Sequence, residues 1–379
     1  MNLFGRAICF FAVTCFALPG ISQISYPIFQ SHSIIQPDDS QHLSFNIESL
    51  NYINNTEYFT KIPLSRTLFG YQLLPEIQYQ PTSRFMIKGG LYLQKEFGRD
   101  GYTSLLPTFS IKYKAKHSSY ILGTLEGATS HNFIEPIYDY KLLINERLEN
   151  GFQFFVDTKP YDHDFYINWR KAIHPGDRFK EEFDIGYIAN LKLVDNNNIE
   201  LKIPVQLLYS HKGGQIDSTG IPLTSLVNDA VGVSVKYKTP GNFLREIDLD
   251  NYYVNYKDIS GAKVQPFDQG NAYLAHLALK FKYFDLDFRY WNSDAFVNPR
   301  GNSLFSSVSE KHIGYTERHR HLLLASVIYD KEIFPNGQFN FRISPYYDFG
   351  EKKLEYSYEM YFSYKLNVLL AKIKKPGKE

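Results

Sequence analysis

Along most of this chain apolar and polar residues alternate with a period of two. Leu277, Leu279, Phe281 and Tyr283 alternate with Ala278, Lys280 and Lys282. Leu354, Tyr356, Tyr358, Met360, Phe362, Tyr364 and Leu366 alternate with Glu355, Ser357, Glu359, Tyr361, Ser363 and Lys365. Residues 183–193, 199–207 and 285–290 repeat the pattern, and no 3.6-residue apolar period is sustained anywhere. A period of two is that of a strand with one apolar face. Sixteen such segments are predicted, near 43–59, 66–80, 83–95, 103–116, 118–129, 150–158, 163–173, 182–194, 199–211, 227–238, 245–257, 271–283, 285–293, 320–332, 337–349 and 354–370. Many exceed the five or six residues of a soluble strand. They are long enough for a tilted bilayer crossing.

The connections test this independently. Counting from the first strand, even-to-odd links are mostly tight, as at Gln80 to Arg84, Lys116 to Ser118, Asp195 to Asn198 and Phe334 to Gly337. Odd-to-even links include long ones, at 130–149, 212–226, 258–270 and 294–319. Bacterial outer-membrane barrels place short turns in the periplasm and long loops outside. The expected fold is therefore an all-β transmembrane antiparallel barrel of about sixteen strands, fourteen to eighteen. Pro107, Pro204 and Pro345 fall inside proposed strands, where each removes a ladder hydrogen bond, so each is expected at a bulge or strand end. A soluble all-β sandwich or jelly roll also alternates. It does not explain alternation over some 350 residues with aromatics near strand ends, which is how interfacial girdles read.

Composition agrees. Mean hydropathy is −0.32, yet 16% of residues are aromatic, with 30 Tyr and 30 Phe. A strand with every second residue in lipid satisfies both. The formal charge of +1 gives no field favouring nucleic acid. At the N-terminus, Arg6, the apolar run 8–18 and the small residues Gly20 and Ser22 form the order of a secretory signal peptide. Both cysteines, Cys9 and Cys15, lie within it, so no disulfide or thiolate chemistry is expected afterwards. The divisions are 1–22 signal peptide, 23–42 periplasmic arm or inward plug, 43–370 barrel and 371–379 basic tail.

Candidate chemistry follows from the inward face. Lys280, Lys282, Asp285, Asp287, Arg289, Arg342, Asp348, Glu355, Glu359 and Lys365 would line the lumen, with signs interleaved. The loop at 130–149 brings His131, Glu135, Asp139, Lys141, Glu146 and Arg147, and folding inward would make it a constriction. Arg300, Lys311, His312, Arg318, His319, Arg320 and His321 form the most basic stretch, a candidate anion-attracting mouth for a phosphate, carboxylate or acidic sugar. A solvated basic rim is the default reading. No metal site or cofactor is expected; His319 and His321 alternate without a placed carboxylate. Neither GxSxG, HExxH, a Gly-rich phosphate loop nor CxxC occurs. A lipid deacylase would need a His with a Ser or carboxylate at the outer lipid boundary. His163, His174, His211 and His276 are available, and spacing selects none.

The export signal, the Tyr/Phe-rich strands and segments such as Glu149 to Phe154 and Tyr290 to Ser293 resemble outer-membrane barrel proteins of the Bacteroidota type. The resemblance spans the exported chain and is one of style. The C-terminus departs from the terminal phenylalanine of many porins. The resemblance implies the cell outer membrane, with lipid and a small polar solute or surface glycan as partners. The expected function is a porin-like channel for small polar solutes, including anions, and not an enzyme; the alternatives are a non-conducting scaffold for surface polysaccharide or secretion and a lipid-modifying enzyme.

Overall fold

The computed structural model describes residues 27–373 apart from 32, 129–130, 215 and 217. The signal-peptide assignment and residues 374–379 of the tail lie outside the described residues. Sixteen antiparallel strands close into one barrel. They are β1 (His42–Glu57), β2 (Thr67–Thr82), β3 (Phe85–Glu96), β4 (Ser104–Lys114), β5 (Ser118–Thr124), β6 (Asn150–Asp157), β7 (Tyr161–Lys171) and β8 (Glu181–Asp195). They continue as β9 (Ile199–Gly213), β10 (Thr224–Lys238), β11 (Leu244–Asp258), β12 (Gln269–Phe281), β13 (Asp285–Asp294), β14 (His319–Phe334), β15 (Gly337–Asp348) and β16 (Lys353–Lys372). Closure runs from Tyr356 opposite Glu57 to Lys372 opposite His42. A closed ladder leaves no edge to satisfy in hydrocarbon.

All sixteen expected segments form strands, most ends moving by one or two residues. β5 stops at Thr124 rather than 129, and β10 starts at Thr224 rather than 227. The prolines correct a second expectation. Pro204 and Pro345 sit neither at bulges nor at strand ends. Pairing is interrupted on one side, between Lys202 and Val205 of β9 against β10, and between Leu324 and Val327 of β14 against β15. Pro107 pairs with Leu91 on one side, and on the other lies outside the β4–β5 ladder, which spans Ser110–Lys114. On its other side each proline stays in register, Asn190 opposite Pro204, Tyr356 opposite Pro345 and Leu91 opposite Pro107.

Outward positions are exposed and apolar across the middle of the wall, as at Leu249, Val231, Phe288, Val327 and Ile343. That band faces lipid. Inward positions are different from those of an open pore. Tyr52, Tyr166, Tyr252, Trp291, Arg342 and Tyr361 come from six strands around the wall, and each is at most 1% exposed. Two outer loops and the N-terminal segment bury them. Phe133, Ile137, Tyr138, Phe296, Leu304 and Phe305 of the loops pack on inward Tyr166, Leu208, Tyr252 and Trp291. Ile28 and Phe29 pack with Leu143 and Ile144 on Leu50, Tyr52 and Tyr361. Gln30–Ser31 adds a short ladder to Gly127–Ala128. Ile28 to Ser31 thus pack inside the wall, while Gln36 and Gln41 bond to Gln80 at its periplasmic end.

Candidate functional site

The inward charges meet the loop charges as ion pairs. Glu135 pairs with Arg289, and Arg289 with Asp287 at 2.8 Å. Asp287 also contacts His276 at 2.6 Å, whose other ring nitrogen lies 2.8 Å from Asp250. Lys141 pairs with Glu359 at 3.1 Å, and the Tyr140 hydroxyl donates to Glu359 at 2.7 Å. Arg342 donates to the Tyr140 hydroxyl at 3.0 Å. Glu146 pairs with Arg300 at 2.7 Å, and Arg300 with Asp184 at 3.1 Å. Arg147 reaches Glu48 at 2.8 Å. Asp139 accepts from the Lys141 backbone N–H at 2.9 Å. Burial pushes the Asp139 carboxyl up to about 7, against the nearby Lys141 and with the help of Glu135.

His131 opens the loop in a left-handed conformation, with φ of 48°. Its ring stacks on Tyr166 at 3.7 Å and lies between Glu149 and Asp164, 2.9 Å from the latter. Burial alone would lower its pKa, but the two carboxylates outweigh it and hold the imidazolium up to about 10. At the other end, Glu355 accepts from the Phe59 N–H at 2.7 Å and the Thr60 hydroxyl at 3.0 Å. Lys365 donates to the Gln30 carbonyl, and Lys280 pairs with Asp248 at 2.9 Å. Asp285 is inward and half-buried.

Two expectations need correction. Lys282 does not line the lumen: it lies in the tight inner turn between β12 and β13, exposed, over the Tyr283 ring. The alternation ends one residue earlier, at Phe281. The basic mouth is not continuous either. Arg300 and Arg320 are buried, with Arg320 paired to Asp348 at 2.8 Å. Lys311 caps the Tyr58 and Thr60 carbonyls, and His312 is exposed. His319 and His321 face outward, since Arg320 between them faces in; His321 stacks on Phe349 at 4.3 Å. Arg318 is clamped to Asp294 on the outer wall.

The outer wall holds a constellation that no spacing revealed. Tyr209 and His211 are outward residues at the outer end of β9, and Ser225 is the second residue of β10. The β9–β10 register sets His211 directly opposite Ser225. His211 Nδ1 lies 2.9 Å from Ser225 Oγ, and the Tyr209 hydroxyl donates to Ser225 Oγ at 3.1 Å. Phe183 flanks the imidazole at 4.9 Å. Glu181 stands opposite Gly213, two residues beyond His211. Of the four histidines that sequence left open, His276 faces the lumen network and, among the described residues, His211 alone carries a hydroxyl partner at the outer boundary. Period-two alternation puts Tyr209 and His211 on the lipid side; Ser225 joins them only through register.

Lipid-facing belt, closed sixteen-strand wall and long outer loops define an outer-membrane β-barrel with a porin-like fold. The chain belongs to the family described as lipid A 3'-O-deacylase-type, whose profile matches residues 35–373. Among curated proteins none matches. Of solved structures, the chain is similar to OprD, an outer membrane protein of Pseudomonas aeruginosa, with a TM-score of 0.52 and 12% identity, covering 92% of this chain and 100% of that one. It is also similar to a loop-deletion form of OmpT, an outer membrane protein of Vibrio cholerae, with a TM-score of 0.50 and 8% identity, covering 86% and 99%. At these identities the likeness is one of fold.

Proposed function

We propose that this barrel hydrolyses an acyl ester of an outer-leaflet lipid, with Ser225 as nucleophile and His211 as general base. The observation that carries this reading is the 2.9 Å contact between Ser225 Oγ and His211 Nδ1 on the lipid-facing wall. A serine hydroxyl is a weak nucleophile until a base takes its proton. Here the Nδ1 must be the unprotonated nitrogen. Ser225 Oγ attacks the ester carbonyl carbon while its proton passes to His211. The acyl–oxygen bond breaks, and the leaving alkoxide takes that proton back. Water, deprotonated by the same imidazole, then hydrolyses the acyl-enzyme. Tyr209 orients the serine through its hydroxyl. The family's description supports an ester of this kind, and the filled lumen leaves the outer wall as the reactive surface.

The test is mass spectrometry of lipids from membranes holding the intact protein, Ser225→Ala or His211→Ala. Loss of one acyl chain is expected with the intact protein, and a fall of at least about a hundredfold in either variant. Unchanged lipid with the intact protein would sink the reading. The second reading is a channel for small polar solutes, favoured by the OprD-like fold and by a lumen of interleaved charge. Stepwise conductance of the intact protein in a planar bilayer would favour it. The packed lumen predicts none.

A further inference from the structure

A second polar feature lies on the same outer wall. Asp229 of β10, Asn255 and Lys257 of β11, Asn271 of β12, Asp294 of β13 and Arg318 of the following loop line an open cleft of about 380 Å³. Register makes most of these one row. Asp229 is opposite Asn255, Asn255 opposite Asn271, and Asn271 opposite Asp294. All share the outward face with exposed Leu249, Tyr253, Tyr273 and Phe288.

The rows beneath it set its height. Two residues toward the periplasm, the same face carries Tyr253 opposite Tyr273. Four residues further on come Leu249 opposite Leu277, and Leu277 opposite Phe288. Tyrosines mark the interface between hydrocarbon and head groups, and aliphatic side chains mark the hydrocarbon. The polar row therefore stands at head-group level, with the tyrosine row and Asn251 between it and the acyl-chain surface. A quarter of the way round the barrel, β16 presents Leu354, Tyr356 and Tyr358 along its outer half, all exposed.

The cleft has its own chemistry. The Asn255 amide donates to Asp229 at 2.8 Å. Arg318 donates two bonds to Asp294, at 2.8 and 2.9 Å, which fixes its guanidinium at the cleft rim. Carboxylates offer acceptors only, and carboxamides offer both roles. A phosphate head group has no donors for Asp229 or Asp294. A sugar ring supplies hydroxyls that donate and accept at once. We propose that this row binds the sugar head group of an outer-leaflet glycolipid as a resident lipid, with its acyl chains lying on the wall below. The inference rests on the barrel's place in the outer membrane and not on Ser225–His211 chemistry, so each can fail without the other. Ser225 is four residues from Asp229, roughly 13 Å along β10.

The experiment is native mass spectrometry of the full chain in nanodiscs of phosphatidylethanolamine. The probes are lipopolysaccharide and, as a sugar-free anionic lipid, phosphatidylglycerol. Retention of lipopolysaccharide in preference to phosphatidylglycerol is expected, with about tenfold loss in Asn255→Leu/Asn271→Leu. Ser225→Ala should retain it as the intact protein does. If the double variant lacks the heat-modifiable mobility of a folded barrel, Asp229→Asn, of nearly the same size, carries the same test. Equal retention of both lipids, or full retention of lipopolysaccharide by the folded cleft variants, would overturn the proposal.

Discussion

At His131 the chain holds a charge where burial opposes one. The imidazolium is 1% exposed and survives because Glu149 and Asp164 face it from two sides. Its pKa is raised to about 10 from an ordinary 6.5. For a raised base the stabilisation is complete below about 6.5 and is lost as pH rises through about 10. Limited proteolysis of the 131–149 loop should thus stay slow at neutral pH and accelerate near pH 10. His131→Ala strands two buried carboxylates and should cost about 3 kcal/mol, read as a lower unfolding temperature. Glu126 behaves oppositely. Burial would raise its pKa, but Lys88 and Lys112, at 2.9 and 2.7 Å, pull it down from 4.5 to about 2. Its stabilisation is present above about 4.5 and is lost as pH falls through about 2.

Between elements, the decisive contact joins the two long loops. The stretch Asn298 to Asn302 clasps the 131–149 loop. The Asn298 amide donates to the Pro136 carbonyl at 2.9 Å, and the Asn302 amide donates to Glu135 at 2.6 Å. A Cβ on Gly301 would fall 2.0 Å from the Pro136 carbonyl oxygen. Gly301→Val should therefore part the loops and destabilise the barrel by about 1–3 kcal/mol, measurable by thermal unfolding. Excising residues 132–147 should unpack the lumen, and conductance steps absent from the intact protein should then appear in planar bilayers. The inward placement of this loop was an open alternative in sequence. Its apolar residues, Phe133, Ile134, Ile137, Leu143 and Ile144, are the signal that points inward. Alternation does not register them, because they follow no strand period.

For the whole molecule, sequence by itself determined the barrel. Strand count, inward and outward faces and the side of each loop all follow from a two-residue period and from loop lengths, which are local properties of the chain. That is why sixteen segments could be placed with small changes at their ends. Tertiary structure decided what fills the barrel and what faces the membrane as chemistry. Arg300 and Asp184, or Lys141 and Glu359, are far apart in sequence and become partners only when loops fold into the closed wall. Ser225 met His211, and Asp229 met Asn255, because register fixes which residues stand opposite one another. Register depends on closure of the sheet as a whole, which no window of sequence contains.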